Sequence, residues 1–367
     1  MVEDDRVSNG SLARTLRSSF FWIGLVVTGL FTYLAVRDVR LGEAWEALKS
    51  SNFWWLLPSL AVLAVFVVIR ALRWRYLFAR ATRPPLGPVA DALLIGYLFN
   101  NILPARAGEV ARVVALKQRA GTSRAETAAT VVIERGYDVL CLLVLLFAAL
   151  PWLPTVSWLR PAVYLAVALA VALGAAIVVL SVWGNRALRL ALKPFARLPF
   201  VRDRAESMTK NLGQGLAGLR RVRIGLAAFA WTTFSWLVLA ISFWFVMLAF
   251  DLDLSPVAGL FVVIAVGLAM ILPSSPGSLG VFEAAVVLAL GAYGISDSRA
   301  LPYALVLHAV NFFPYVVVGF LVLHRHTGVL RRRSRSLTPR PEMSRAQPVR
   351  DQRLSSAPGR RRTKSRS

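Results

Sequence analysis

The chain alternates between long apolar runs and short segments dense in charge. Stretches free of Asp, Glu, Lys and Arg run from Ser18 to Val36, Ser51 to Ile69, Val139 to Leu159, Pro161 to Asn185, Ile224 to Phe250, Leu254 to Phe282 and Ala300 to Leu323. A bilayer core about 30 Å thick takes about 20 apolar residues of helix, so the pattern predicts membrane spans. No porin-like alternation of short segments is present, and a helix satisfies its backbone hydrogen bonds within itself. The expected fold class is all-α: a polytopic transmembrane helical bundle. Composition agrees, since 57% of the 367 residues are apolar and only 17% charged, a balance outside the range of soluble domains. The first run follows Glu3, Asp4 and Asp5 and ends in no small-residue cleavage pattern, so it reads as a retained anchor.

Forty-three Lys and Arg against nineteen Asp and Glu give a formal charge of +24. Such an excess suggests nucleic acid until its placement is considered. Arg70, Arg73, Arg75, Arg80 and Arg83 follow the second run, ten basic residues lie between Arg186 and Arg223, and fourteen follow from His324 onward. The connection from Arg37 to Ser50 balances three basic against three acidic residues. Cytoplasmic loops carry the basic excess. This predicts six crossings, at about 18–36, 51–70, 127–150, 161–184, 224–249 and 300–323, with both termini cytoplasmic in a cell (inner or plasma) membrane. Residues 1–17 form a cytoplasmic segment, and 18–325 the membrane domain. Residues 326–367, rich in Arg, Ser and Pro, form a disordered polybasic tail that favours anionic lipid over nucleic acid. Arg70 through Arg83 read mainly as positive-inside anchors. Arg186 to Arg223 reads either as amphipathic helix on the inner leaflet or as a solvated connector. Trp54, Trp55, Trp74, Trp152 and Trp158 read as interfacial belt residues.

Two apolar segments remain, at about 89–109 and 256–294. The first ends in Asn100-Asn101-Ile102-Leu103-Pro104-Ala105-Arg106-Ala107-Gly108-Glu109; the second is interrupted by Ile271-Leu272-Pro273-Ser274-Ser275-Pro276-Gly277-Ser278-Leu279-Gly280-Val281-Phe282-Glu283. Both carry Ile-Leu-Pro, a small-residue break, then Gly and Glu. Broken helices in corresponding positions point to a transporter's central site, where free backbone groups face a cavity. The expectation is two inverted re-entrant helical segments, broken at Pro104 and Gly108 and at Pro273, Pro276, Gly277 and Gly280. The alternative is a pair of Pro/Gly turns between ordinary helices. Glu134, Arg135 and Asp138 fall inside the predicted 127–150 crossing, where a central charge costs about 2.5–3.5 kcal/mol on insertion scales and usually marks a functional interior. A structural ion pair joining Arg135 to either carboxylate is the other reading. His308 and Asn311, three apart, suit inter-helix hydrogen bonding.

With Cys141 alone and histidines only at 308, 324 and 326, neither a disulfide within the chain nor a cysteine-based metal cluster is expected. No HExxH or P-loop is present, and no cofactor, metal site or catalytic residue is predicted.

At Arg70-Ala-Leu-Arg73-Trp74, Gly96, the Asn100 to Glu109 segment, Arg112, Glu134-Arg135, Asp138, Leu272-Pro273, Pro276-Gly277, Gly280 and Phe282-Glu283, the chain resembles a known family. This is the flippase-like transmembrane domain of lysyl-phosphatidylglycerol synthases, here over about residues 15 to 325. The resemblance implies a polytopic protein with re-entrant helices that moves a phospholipid or polyprenyl-linked lipid between leaflets. The longer synthases add a soluble aminoacyl-transfer domain. Only forty-four residues follow the last predicted span here, so that activity is not carried over and an enzyme is not the first expectation. Membrane lipids, anionic or polyprenyl-phosphate-linked, are the expected partners. Candidate substrate-binding residues are Asn100, Asn101, Arg106, Glu109, Arg112, Glu134, Arg135, Asp138 and Glu283. Arginine can hold a phosphate through forked N–H donors. The carboxylates have three open roles: pairing the arginines, engaging a cationic head group, or accepting protons. Two other functions remain: an enzyme modifying a lipid head group with Glu134, Asp138 or Glu283 as base, and a scaffold acting through the basic tail.

Overall fold

Apolar length sets most of the helices. The computed structural model describes residues 19–78, 81–103, 106–157, 159–183, 222–271 and 275–336. The chain divides into two units, 1–324 and 325–367, of which the first holds the bundle. The order is α1 (Ser19–Val36), α2 (Leu41–Lys49), a 3-10 turn (Phe53–Trp55), α3 (Leu56–Tyr76), α4 (Leu86–Ile102), α5 (Gly108–Ala120), α6 (Arg124–Ala149) and α7 (Leu159–Trp183). Then come α8 (Val222–Ala249), α9 (Pro256–Ala269), a 3-10 turn (Pro276–Ser278), α10 (Val281–Gly291) and α11 (Asp297–Ser336). Among the described residues there is no strand, as an all-α membrane protein requires.

Local chemistry places the ends. Pro256 opens α9 in its first turn, where its missing N–H removes no helical bond. Gly121, at φ 67°, closes α5 in the left-handed conformation that glycine adopts without steric cost. The Asn52 side chain accepts a hydrogen bond from the Trp54 N–H and so caps the turn into α3. Helix α2 lies in the connection between Arg37 and Ser50.

Among the described residues, three stretches are long and apolar enough to cross a bilayer: Phe53–Tyr76, Gly225–Ala249 and Asp297–Arg325. Helix α6 has the length, at 26 residues, but Glu134, Arg135 and Asp138 interrupt its apolar character. Helices α4, α9 and α10 are apolar and shorter.

Packing follows the rules of membrane interiors, where small residues and inter-helix hydrogen bonds replace the hydrophobic drive. Helices α3 and α8 share the broadest contact, and Ser59 and Ser242 hydrogen-bond across it at 2.9 Å between hydroxyl oxygens. Gly259 lets α9 approach α8 so closely that a Cβ there would lie 2.8 Å from the Ala240 carbonyl oxygen. The Tyr303 hydroxyl ties α11 to α8 by donating to the Phe243 carbonyl. One large apolar core joins α3, α6 and α8 to α11, and a smaller one joins the cytoplasm-predicted end of α3 to α4, α5 and α6.

Both leftover segments are helix, break, helix, interrupted where the sequence placed the breaks; Pro104 and Pro273 themselves lie outside the described residues. Trp74 is not interfacial: it is fully buried, and its indole N–H donates to Thr130 Oγ1 at 3.0 Å. Trp54 and Trp152 are exposed, as a belt requires. The tail expected from residue 326 overlaps α11, which runs to Ser336. Residues 1–17, Trp158, the basic connector up to residue 221 and residues 337–367 lie outside the described residues.

Candidate functional site: an ionic ring beside a cavity

Residues one helical turn apart share a face, and three helices use that spacing to bring charge together. Helix α3 presents Arg70 and Arg73, α5 presents Glu109 and Arg112, and α6 presents Glu134 and Asp138. Arg70, Arg73, Arg112, Glu134 and Asp138 are all buried. Arg73 lies between the two carboxylates of α6, with Nη2 2.7 Å from Glu134 Oε1 and Nη1 2.6 Å from Asp138 Oδ1. Arg112 joins Glu134 (3.1 Å) to Glu109 (2.8 Å). Arg135 bonds Glu109 and approaches Asp138 at 3.6 Å. The result is a closed ring of alternating charge, Asp138, Arg73, Glu134, Arg112, Glu109, Arg135 and back to Asp138. Arg70 attaches to it through Asp138 at 2.5 Å.

Burying ions costs several kcal/mol each unless partners compensate, and here every ring member has two. Further contacts hold the guanidinium groups: Arg73 donates to Thr232 Oγ1 at 2.9 Å, Arg112 stacks over Trp74, and Arg70 lies over Phe66 and Trp236. Arg135 points away from Glu134 on α6, as its neighbouring position dictates, and reaches Glu109 instead.

Next to the ring is a cavity of about 660 Å³, within the range of small-molecule sites. Arg70, Glu109, Arg135 and Asp138 form part of its wall, with Asn100 and Asn101 from the end of α4 and Arg106 from the first break. The second break adds Ser275, Gly277 and Ser278. The two breaks touch: a Cβ on Gly277, whose φ is 68°, would lie 3.5 Å from the Asn101 carbonyl oxygen. Arg106 adopts a left-handed φ of 54°, and among the described residues it forms no ion pair.

Glu283 stands apart from this ring. One oxygen accepts the Gly280 N–H at 2.7 Å, capping α10, and the other shares a 2.5 Å hydrogen bond with His308 Nδ1. His308 lines the cavity and stacks on Phe282. It makes the inter-helix bond expected of it, whereas Asn311 donates to Leu307 of its own helix.

Eight of the nine predicted site residues line the cavity or belong to the ring, Asn100 and Asn101 from the end of α4 among them, and Glu283 instead serves α10 and His308. Sequence reasoning favoured positive-inside anchoring for Arg70 and Arg73 over a place beside Arg106 and Arg112 at the cytoplasmic mouth; the structure corrects the favoured reading, because both are buried partners of Asp138. Their spacing of three, facing carboxylates spaced by four, is the available signal. Trp236, Tyr97 and Tyr315, all lining the cavity, were not anticipated and carry no motif.

Bundle and site together define a helical integral membrane protein with a charged internal cavity. The chain belongs to the family described as the lysylphosphatidylglycerol synthase TM region, whose model matches residues 21–319. Glycosyltransferase AglD of Haloferax volcanii is 27% identical over 338 residues, covering 81% of this chain and 53% of that protein. A UPF0104 membrane protein of Methanocaldococcus jannaschii is 23% identical over 226 residues, covering 62% of this chain and 93% of that protein. A second UPF0104 membrane protein, from Methanothermobacter thermautotrophicus, is 23% identical over 288 residues, covering 75% and 84%. The chain thus spans about half the length of AglD and most of the stand-alone proteins.

Proposed function

We propose that the protein is a lipid translocase that moves a phospholipid or polyprenyl-linked lipid between the leaflets of the cell membrane. In this reading the helix, break, helix segments are re-entrant hairpins entering from opposite faces, six other helices cross, and both termini are cytoplasmic. The supporting observation is convergence: two broken helices and a buried ionic ring border one cavity inside an apolar bundle. Irregular backbone at membrane depth is tolerated where it lines such a space. A phosphate entering the cavity meets guanidinium groups already oriented by carboxylates. Each arginine that turns to the phosphate leaves a carboxylate still bonded to another arginine, so no buried charge is stranded as the lipid passes.

The carboxylates considered as bases for head-group chemistry are all engaged, Glu134 and Asp138 by arginines and Glu283 by His308 and the Gly280 N–H. That favours translocation over modification. Reconstitution in liposomes with a fluorescent lipid and dithionite tests the proposal. Movement between leaflets is expected to depend on Arg106 and Glu134. Unaltered movement in both Arg106→Ala and Glu134→Ala rejects the site, and protein-dependent covalent change in extracted lipid favours the enzyme instead.

A further inference from the structure

We infer that His308, paired with Glu283, is a proton-binding site that couples lipid movement to a pH gradient. This rests on the translocase reading and names what drives it.

The ion pairs around the cavity are of two kinds. Each interrupted segment places a carboxylate in the first turn after its break, Glu109 in α5 and Glu283 in α10. Glu109 is held by Arg112 and Arg135, and the ion pairs of Glu134 and Asp138 are likewise with arginines. A guanidinium group keeps its charge at any physiological pH. Glu283 alone of these carboxylates is paired with an imidazole, the side chain that changes charge near neutrality.

The pair is arranged for one proton. Glu283 Oε2 accepts the Gly280 N–H, which fixes the carboxylate. An ionised carboxylate can only accept, so His308 Nδ1 carries the hydrogen of the 2.5 Å bond to Oε1. That leaves the lone pair on Nε2, which forms no hydrogen bond among the described residues, on a ring that lines the cavity. A proton entering by the cavity adds to this lone pair while the Nδ1–H bond is kept. The pair then passes from a single negative charge to an ion pair with none. Phe282 stacks on the ring at 4.5 Å, and an aromatic face favours a cation.

Few other groups bear on it. Helices α1 and α9 pack on α10 and bring no titratable side chain except the exposed Tyr33. Helix α8, whose Phe243 meets Phe282, has only Arg223, in its first turn. Tyr303 of α11 donates to the Phe243 carbonyl. The cavity wall that His308 shares carries Arg70, Arg106, Glu109, Arg135 and Asp138, with the phenols of Tyr97 and Tyr315.

The pair is also joined to both breaks. Glu283 holds Gly280 at the end of the second break. Phe312, one turn beyond His308, lies against Gly277, where a Cβ would come within 3.2 Å of its ring and 3.5 Å of the Asn101 carbonyl oxygen in the first segment. Ser278 between them holds a left-handed φ of 56°, strain of the kind found at switch regions. A phosphate and a negatively charged pair oppose each other in one cavity, whereas a phosphate and a neutral pair do not. Such coupling is reciprocal, so the proton favours the phosphate and the phosphate the proton. Lipid therefore enters more readily from the acidic face.

Two measurements on the full chain test this. In detergent, isotope-labelled histidine is followed by NMR from about pH 5 to 8, the range in which imidazole titrates, and His308→Gln identifies the signal. His308 is expected to titrate there, with a midpoint that rises when a short-chain prenyl phosphate is added. In liposomes, fluorescent phosphatidylglycerol and a fluorescent prenyl phosphate are followed across a pH step of about two units, which takes histidine from mostly charged to mostly neutral. For at least one probe, movement from the acidic face is expected to exceed that from the basic face by about fivefold, the low end of coupling between sites. This ratio is expected to vanish in His308→Gln and in Glu283→Gln, which keeps a capping oxygen for Gly280. It is expected to persist when His324 and His326 are both changed to Gln. Lipid movement without the ratio, a ratio that survives His308→Gln, a ratio lost in the His324 and His326 control, or a His308 signal that does not titrate overturns the coupling while the translocase reading stands. Movement of neither probe under any condition removes both.

Discussion

Gly108 rests against Gly96 so tightly that a Cβ on Gly108 would lie 1.9 Å from the Gly96 carbonyl oxygen. This contact folds α5 back onto α4 and sets where Glu109 and Arg112 point, because both lie within the next turn. Gly108→Ala must spread the hairpin. Overpacking of this kind costs about 1–3 kcal/mol, and thermal unfolding in detergent should show the loss. Gly87→Ala, with nothing near its Cβ, should leave stability unchanged in the same assay.

Arg73 bridges Glu134 and Asp138 with separate nitrogens, a geometry that a single ammonium cannot reproduce. Arg73→Met removes the central cation and leaves Glu134 with Arg112 alone. Breaking a buried pair from one side costs about 3–5 kcal/mol. Arg73→Lys should recover only part of this, and denaturant unfolding of the two variants would compare them.

Arg112 and Glu134 are neighbours in one ring, so their substitutions should not add. In a double-mutant cycle of Arg112→Gln and Glu134→Gln, a coupling of about 0.5–3 kcal/mol is expected for groups in one network. Additive losses would show that the ring is not a single unit.

Glu283 holds two groups, the Gly280 N–H and His308. Glu283→Ala should destabilise α10 by about 0.5–2 kcal/mol, the usual value of a lost cap, and should raise exchange of the Gly280 amide, which Glu283 holds. His308→Gln keeps the cap and should spare that exchange. Protection of the Gly280 amide by hydrogen exchange separates the two.

Much of the fold was legible in the chain because the bilayer leaves few solutions for an apolar run. The helical class, both interruptions and the anomalous charges of α6 all follow from residue type and spacing. The favoured readings of Arg70 and Arg73 as anchors and of Trp74 as a belt residue failed for a related reason: a basic residue or tryptophan at the end of an apolar run usually sits at the interface, and sequence cannot say that these three turn inward. What turns the arginines is Asp138 and Glu134 on another helix, sixty or more positions away, and Trp74 follows by donating to Thr130 on that same helix.

Apolar length and the Pro/Gly breaks, local properties set by bilayer thickness and backbone sterics, determined that this chain is a helical membrane protein with two interrupted segments. Which arginine meets which carboxylate, and that both interruptions border one cavity, was decided only by tertiary packing. A buried charge finds its partner through the approach of helices, and the contact of Gly96 with Gly108 that permits one such approach has no signature in either glycine alone.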